Sequence, residues 1–227
     1  MDTHIQGQTL SHADLVDLMK QPCDGERILE KCLLDEADLS NLDLTGLRFE
    51  RCSFRSTDFT SARLENARFS GCRGAMANFT AARLEGSSWR SSDLNNASFT
   101  GASLSEATFT GCKLTGADFS RSRHVGTRFV ETTLASARLP GFSFRKQTLD
   151  TLDFSHADLA GCDFREAVLD NCSLRDSHLV DARFEGADLR GADLGGLRLN
   201  DARRFKGATL SRAQAGALLA ELGLKVI

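Results

Sequence analysis

Large apolar residues recur every five positions along most of this chain. From Leu29 the series runs Leu34, Leu39, Leu44, Phe49, Phe54, Phe59, Leu64 and Phe69, and it continues without a slip to Leu199. Of these 35 positions 33 are Leu, Phe or Trp, so that only Gly74 and His124 break the column. A helical period of about 3.6 would rotate such residues around a cylinder, and a plain strand would alternate them. The column two residues earlier is small, with Ala37, Cys52, Thr57, Ala62, Ala67, Cys72, Ala77 and Ala82. Two inward positions separated by one outward position are a strand habit. Each pentad therefore predicts a very short strand followed by a corner. Glycine gathers at the corner, as Gly46, Gly71, Gly101, Gly111 and Gly116, where its backbone freedom is useful.

The unusual composition follows from this pattern. Thirteen of the fifteen phenylalanines and the single tryptophan, Trp89, lie in the large column, and there is no tyrosine, whose buried hydroxyl would need a partner. Six of the seven cysteines lie in the small column, and Cys32, Cys52, Cys72, Cys112 and Cys172 are spaced by multiples of twenty. That spacing predicts four pentads per turn with these thiols stacked on one side. Inward thiols with parallel Cβ vectors, no CxxC and no histidine at ligand spacing point to small buried core residues, not to a disulfide framework or a metal site.

The ends need caps, because a solenoid exposes apolar coil edges. Ser11 and Asp14 have capping-box spacing, and Leu15, Leu18 and Met19 share a stripe, which predicts a helix over 11–20. After Leu199 the register slips by one, to Phe205 and Leu210. A second helix is predicted over 212–222, with Leu218, Leu219 and Leu222 on one side and Gly223 as its stop. Leu224 and Val226 flank Lys225 as a short final strand would. The organisation expected is a cap at 1–26, a repeat array at 27–210 and a terminal module at 211–227. No apolar run reaches membrane-spanning length, and Met1-Asp2-Thr3-His4 lacks a signal-peptide layout. A soluble cytoplasmic protein with reduced thiols is expected.

The segment 187–196, ADLRGADLGG, resembles the A(D/N)LXX consensus of pentapeptide-repeat proteins. The resemblance covers residues 27 to about 210. It implies an all-β fold, a right-handed quadrilateral β-helix with short capping helices at both ends. Residues 214–227, QAGALLAELGLKVI, resemble the C-terminal module of the Qnr-type quinolone-resistance group, and 71–79, GCRGAMANF, resembles a segment of that group. This second resemblance implies a homodimer through Leu218, Leu219, Leu222 and Val226. It also implies a non-enzymatic protein that binds DNA gyrase and topoisomerase IV as a DNA mimic and modulates topoisomerase poisons. The array from 29 to 199 has no clear loop insertion, unlike that group. A general protein-interaction scaffold without DNA mimicry is the rival reading.

Charge is banded. Residues 1–47 carry net −7, 48–149 net +7, 150–201 net −7 and 202–227 net +4, for a total of −3. The 150–201 band spans roughly 12 Å at strand spacing. It approaches the density of duplex DNA, one charge per roughly 1.7 Å. With four pentads per turn, Asp38, Asp58, Asp118 and Asp158 fall in one outward column that would suit a basic groove. The alternative is that these are ordinary solubilising charges. His124 stands where Leu or Phe is expected, flanked by Arg121 and Arg123. One coil on lie Phe142 at a normally small position, then Arg145 and Lys146, so a bulge is expected there. The patch is either a functional irregularity or a packing variant. Gly74 leaves a hole that Met76 fills, or the coil dents. No catalytic motif, cofactor motif or metal-ligand set is present, and no direct nucleic-acid contact is expected.

Overall fold

The computed structural model describes residues 2–197, 202–221 and 223–225. The chain winds as a right-handed four-sided β-helix, in two compact units of residues 1–133 and 134–227. In the first unit seven short parallel strands stack in chain order: β1 (Thr3–Gln6), β2 (Arg27–Glu30), β3 (Arg48–Glu50), β4 (Arg68–Ser70), β5 (Ser88–Arg90), β6 (Thr108–Thr110) and β7 (Arg128–Val130). From β2 onward their register advances by twenty residues per coil, as in Phe49 opposite Phe69 and Phe69 opposite Trp89. These strands form face 1. Single bridges form the other three: Leu33 with Ser53 on face 2, Asp38 with Asp58 on face 3, and Asp43 with Arg63 on face 4. The second unit repeats the plan with β8 (Thr148–Asp150), β9 (Val168–Ser173) and β10 (Asp188–Asp193).

The corners explain the pentad. Among the described residues, the residue two after each large one of the column has positive φ, Gly191 excepted, whether glycine (Gly46, 71°) or not (Ser56, 53°; Ala81, 56°). Glycine is therefore favoured but not required. The left-handed residue's own N–H joins the ladder, as Ser56 N donates to the Ala75 carbonyl at 3.0 Å, and that bond offsets part of its steric cost. Most corners close as β-turns, with Ala62 N donating to Phe59 O at 3.0 Å and Ala67 N to Leu64 O at 3.1 Å. The corner after face 1 is different. Among the described residues no such bond joins Cys52 to Phe49 or Cys72 to Phe69. Instead the Cys52 thiol reaches the Leu29 carbonyl at 3.2 Å, and the Cys72 thiol the Phe49 carbonyl at 3.3 Å. Thr132 does the same to Phe109 O at 3.2 Å. The twenty-residue cysteine spacing thus follows the open corner, although the same side-chain reach also occurs at closed corners, as from the Cys162 thiol to Leu139 O at 3.1 Å.

The large column is the core. Phe49, Phe69, Trp89, Phe109 and Phe129 stack nearly parallel up face 1, with centroids 4.6, 3.7, 5.8 and 5.3 Å apart. A second stack, Phe59, Phe79, Phe99 and Phe119, climbs face 3 and meets the first edge-on. In the second unit Phe144, Phe164, Phe184 and Phe205 stack at 5.0, 4.8 and 4.9 Å. Trp89 Nε1 donates to Ser87 Oγ at 3.1 Å, so a serine replaces the usual alanine beside the one indole that needs an acceptor.

Several details depart from expectation. Met76 does not fill the space at Gly74. It is 58% exposed, and the Phe54 ring occupies the space, lying 2.0 Å from where a Cβ on Gly74 would be. Phe142 is buried without a bulge: its N–H keeps the turn bond to Leu139 O at 3.3 Å, and its carbonyl keeps the ladder bond from Asp163 N at 2.8 Å. Leu179, a column member, is only half-buried; Leu199, the column member twenty residues later, lies outside the described residues.

At the N-terminal end α1 (His12–Lys20) has the expected capping box and buries Leu15 and Leu18. Unforeseen is β1, which pairs Ile5 with Leu29 before that helix begins. Ile5 and Leu10 already keep the five-residue step, so α1 is an insertion after a first partial coil. At the other end Phe205 stacks on Phe184, twenty-one residues back, as the register slip requires. The helix α2 (Arg212–Glu221) follows. Residues 223–225 form no strand, and Val226 lies outside the described residues.

Candidate functional site

Face 3 of the first unit carries the predicted aspartate column. Asp38 pairs with Asp58, Asp58 with Asn78, Asn78 with Ser98, and Ser98 with Asp118, so neutral residues interrupt the acids. Each carboxylate turns back on its own strand. Asp38 accepts from Ser40 N at 3.0 Å, Asp58 from Thr60 N at 2.9 Å, and Asp118 from Ser120 N at 2.8 Å. The Ser40 N–H holds the Asp38 carboxyl below the usual carboxylate range. Asp158, in the second unit, lies between Arg138 and His178. Partial burial is the largest single influence and works against its ionisation, but the His178 ring nitrogen at 3.0 Å, the Ala160 N–H and Arg138 together outweigh it, and its pKa also falls. Asp158 and the first-unit aspartates therefore present charge that is partly committed locally.

In the second unit six carboxylates, Asp158 among them, lie on faces 3 and 4 with five Arg or Lys beside them, whereas five lie on faces 1 and 2 with only Arg175 and Arg190. Asp150, Asp170 and Asp193 are exposed there, with Asp153 and Asp188 half-buried. Asp193 is paired with Arg175 at 2.9 Å, and Asp188 with Arg190 at 2.6 Å. Summing charge along the chain located this band but not the faces that carry it.

The irregular patch divides between the units. In the first, Arg121 and Arg123 are exposed, and His124 is half-buried with Nδ1 3.1 Å from the Ser122 carbonyl oxygen. The imidazole is thus neither swung out nor packed as a column member. In the second, Arg145 and Lys146 both pair with Glu166, at 3.0 and 3.5 Å, and Phe142 is core.

Five of the core thiols are chemically quiet, while the half-buried Cys23 is held below the usual thiol range by its hydrogen bond with the Thr3 side chain. Burial pushes Cys52, Cys72 and Cys162 up to about 12, and Cys112 and Cys172 up to about 11. None of the seven cysteines forms a disulfide, and the described residues contain no cluster able to hold a metal.

Sequence-family comparison decides the class. One family model, the pentapeptide repeat region, matches residues 42–119, and a second, pentapeptide repeats, matches successive segments from 112 to 215. The chain belongs to the pentapeptide-repeat family. No curated protein matches it. Among solved structures, this pentapeptide-repeat chain is similar to a trypsin-treated variant of QnrB1, a plasmid-mediated fluoroquinolone resistance protein. The TM-score is 0.73 at 24% identity, covering 89% of this chain and 100% of that one. Full-length QnrB1 is similar with a TM-score of 0.60 at 20% identity, covering 99% of each chain. These likenesses establish the fold.

The terminal module of this pentapeptide-repeat chain is built around Gln214. Its Oε1 accepts from Ser211 N at 2.7 Å, which makes a capping box, and its Nε2 donates to Leu189 O and Ala192 O at 2.7 and 2.6 Å. One side chain thus starts α2 and satisfies the open end of the last coil. Leu218 is buried, whereas Leu219 and Leu224 are 36% and 55% exposed. The predicted single stripe is therefore split between an inward and an outward leucine. Leu222 and Val226 lie outside the described residues.

No helix among the described residues is long and apolar enough to cross a membrane.

Proposed function

We propose that this protein is a non-enzymatic binding protein of the cytoplasm that engages DNA gyrase or topoisomerase IV as a partial DNA mimic and modulates topoisomerase poisons. The observation that carries the reading is the QnrB1-like fold over nearly the whole chain, combined with the Gln214-led terminal module. The carboxylates Asp38, Asp58 and Asp118 of the first unit, and Asp158 of the second, offer negative charge to a basic groove. Exposed charges steer encounter more than they hold a complex. Changing Asp118→Lys together with Asp158→Lys should slow association with gyrase severalfold, with the wild-type rate falling as salt rises. Unchanged association kinetics at low salt would remove these aspartates from the interface.

The second reading, a protein-interaction scaffold without DNA mimicry, is favoured by the local pairing of many carboxylates with arginine or histidine. It predicts no effect on gyrase at all.

The assembly proposed is a two-fold homodimer through the terminal module. Leu219 and Leu224 are the apolar side chains that α2 and the residue pair after Gly223 leave exposed. Leu219→Glu should give a monomer in sedimentation velocity, while Leu218→Ala should mainly destabilise the last coil. A wild-type chain that is monomeric at micromolar concentration would end the dimer proposal.

A further inference from the structure

The twenty-residue winding sorts charge in a way that no linear sum reveals. Over the four coils from Arg48 onward, faces 1 and 2 hold residues 48–55, 68–75, 88–95 and 108–115, with seven Arg or Lys against Glu50 and Asp93. Faces 3 and 4 of the same coils carry four cations against five carboxylates. The cations are not equally committed. Arg48 is tied to Glu26 and Glu50, Arg51 to Glu30, and Arg68 to Glu26. Arg73, Arg90 and Lys113 are exposed and have no ion-pair partner among the described residues. Asp93, between Arg73 and Lys113 on face 2, is bonded to Asn95 N at 3.1 Å.

These three cations surround the open corner, whose tips at Gly71, Ser91 and Gly111 are small. Beside it on face 1 lies a shallow groove of about 350 Å³, lined by Arg48, Arg68, Ser70, Ser88 and Arg90 among others. The Ser70 and Ser88 hydroxyls have no hydrogen-bond partner among the described residues. The groove therefore brings two neutral donors, Ser70 and Ser88, together with the uncommitted guanidinium of Arg90, a donor set suited to phosphate oxygens.

We propose that this edge of the first unit binds the phosphate backbone of duplex nucleic acid. Arg73, Arg90 and Lys113 fall on three successive coils spaced by about 4.8 Å, Arg90 on face 1 and the other two on face 2. A nucleic-acid strand presents a charge every roughly 3.4 Å along its axis. Three uncommitted cations spread over about 10 Å, with only Asp93 among them, suit the closely and evenly spaced charges of a phosphate backbone. The contact is a positioning one without base reading, since nothing on this flat face enters a groove. The expectation of no nucleic-acid contact rested on a charge summed over the chain, which the fold redistributes. The proposal does not depend on the topoisomerase reading, and DNA alone is its probe.

Fluorescence anisotropy of a short labelled duplex tests it. The full chain should bind at low ionic strength, with log affinity falling linearly in log salt. Arg73→Gln combined with Arg90→Gln should weaken binding about tenfold or more and lower the salt slope by about two. Arg63→Gln with Arg83→Gln, on face 4 and clasped by Glu65, should leave affinity unchanged. Polyglutamate at equal charge should compete poorly. No binding at low salt, equal loss from the face 4 pair, or equal displacement by polyglutamate would each overturn the proposal. Matching melting temperatures for the two double variants exclude misfolding as the cause.

Discussion

Phe109→Ala lowers the stability of the folded chain by about 3–5 kcal/mol. The ring is fully buried, stacked between Trp89 at 5.8 Å and Phe129 at 5.3 Å, and edge-on to Phe99 and Phe119 at 5.8 and 6.0 Å. The loss falls at the high end for aromatic truncation because the space cannot collapse. Backbone ladders fix Phe109 opposite Trp89 on one side and Phe129 on the other. Neighbouring rungs cannot close on the cavity without breaking hydrogen bonds on all four faces. Phe109→Leu is the control, since leucine serves the same column elsewhere; it should cost under about 1.5 kcal/mol if the neighbours repack. Urea denaturation with two-state fitting measures both. A Phe109→Ala loss below 1 kcal/mol, at an unchanged slope, would show that the column is not close-packed.

Gly74→Ala should destabilise by about 1–3 kcal/mol or more, although the change adds a single methyl group. Its φ is not in the left-handed region, so backbone strain is not the cause. The added Cβ would sit 2.0 Å from Phe54 Cε2 and 2.6 Å from Cδ2, inside a ring rather than against the tip of a flexible chain. Phe54 is itself fully buried and edge-on to Phe49, Phe59, Phe69 and Phe79, so it has no free space to move into. The cost should therefore shrink in a Phe54→Leu background. A double-mutant cycle should show coupling of about 1 kcal/mol or more. Additive effects would mean that the ring does not occupy the glycine's place.

The coil geometry was legible because one rule repeats. A strict five-residue column and a twenty-residue cysteine spacing determine which residues point inward and which stack. Features that depend on a single exception were not legible. Gly74 showed that something was missing, but only the coil before it shows that Phe54 fills the gap while Met76 faces solvent. Phe142 broke the small-residue rule without disturbing either its turn or its ladder. β1 went unseen because α1 interrupts the step between Leu10 and Leu29. The role of Gln214 was hidden because its amide reaches carbonyls more than twenty residues back. The candidate surfaces were partly legible. Asp38 and Asp58 do share a face, but sequence could not show that their carboxylates bond their own strands. Nor could it show that Arg73, Arg90 and Lys113, three of the uncommitted cations of the first unit, lie beside one corner.

The topoisomerase reading is tested most directly by DNA gyrase cleavage of a plasmid in the presence of a fluoroquinolone, with and without the purified chain. The account predicts that the chain binds gyrase and reduces drug-stabilised cleavage in a concentration-dependent and salt-sensitive way. Unchanged cleavage and unchanged supercoiling across the same range, with no detectable binding to gyrase or topoisomerase IV, would contradict it and leave the scaffold reading in its place.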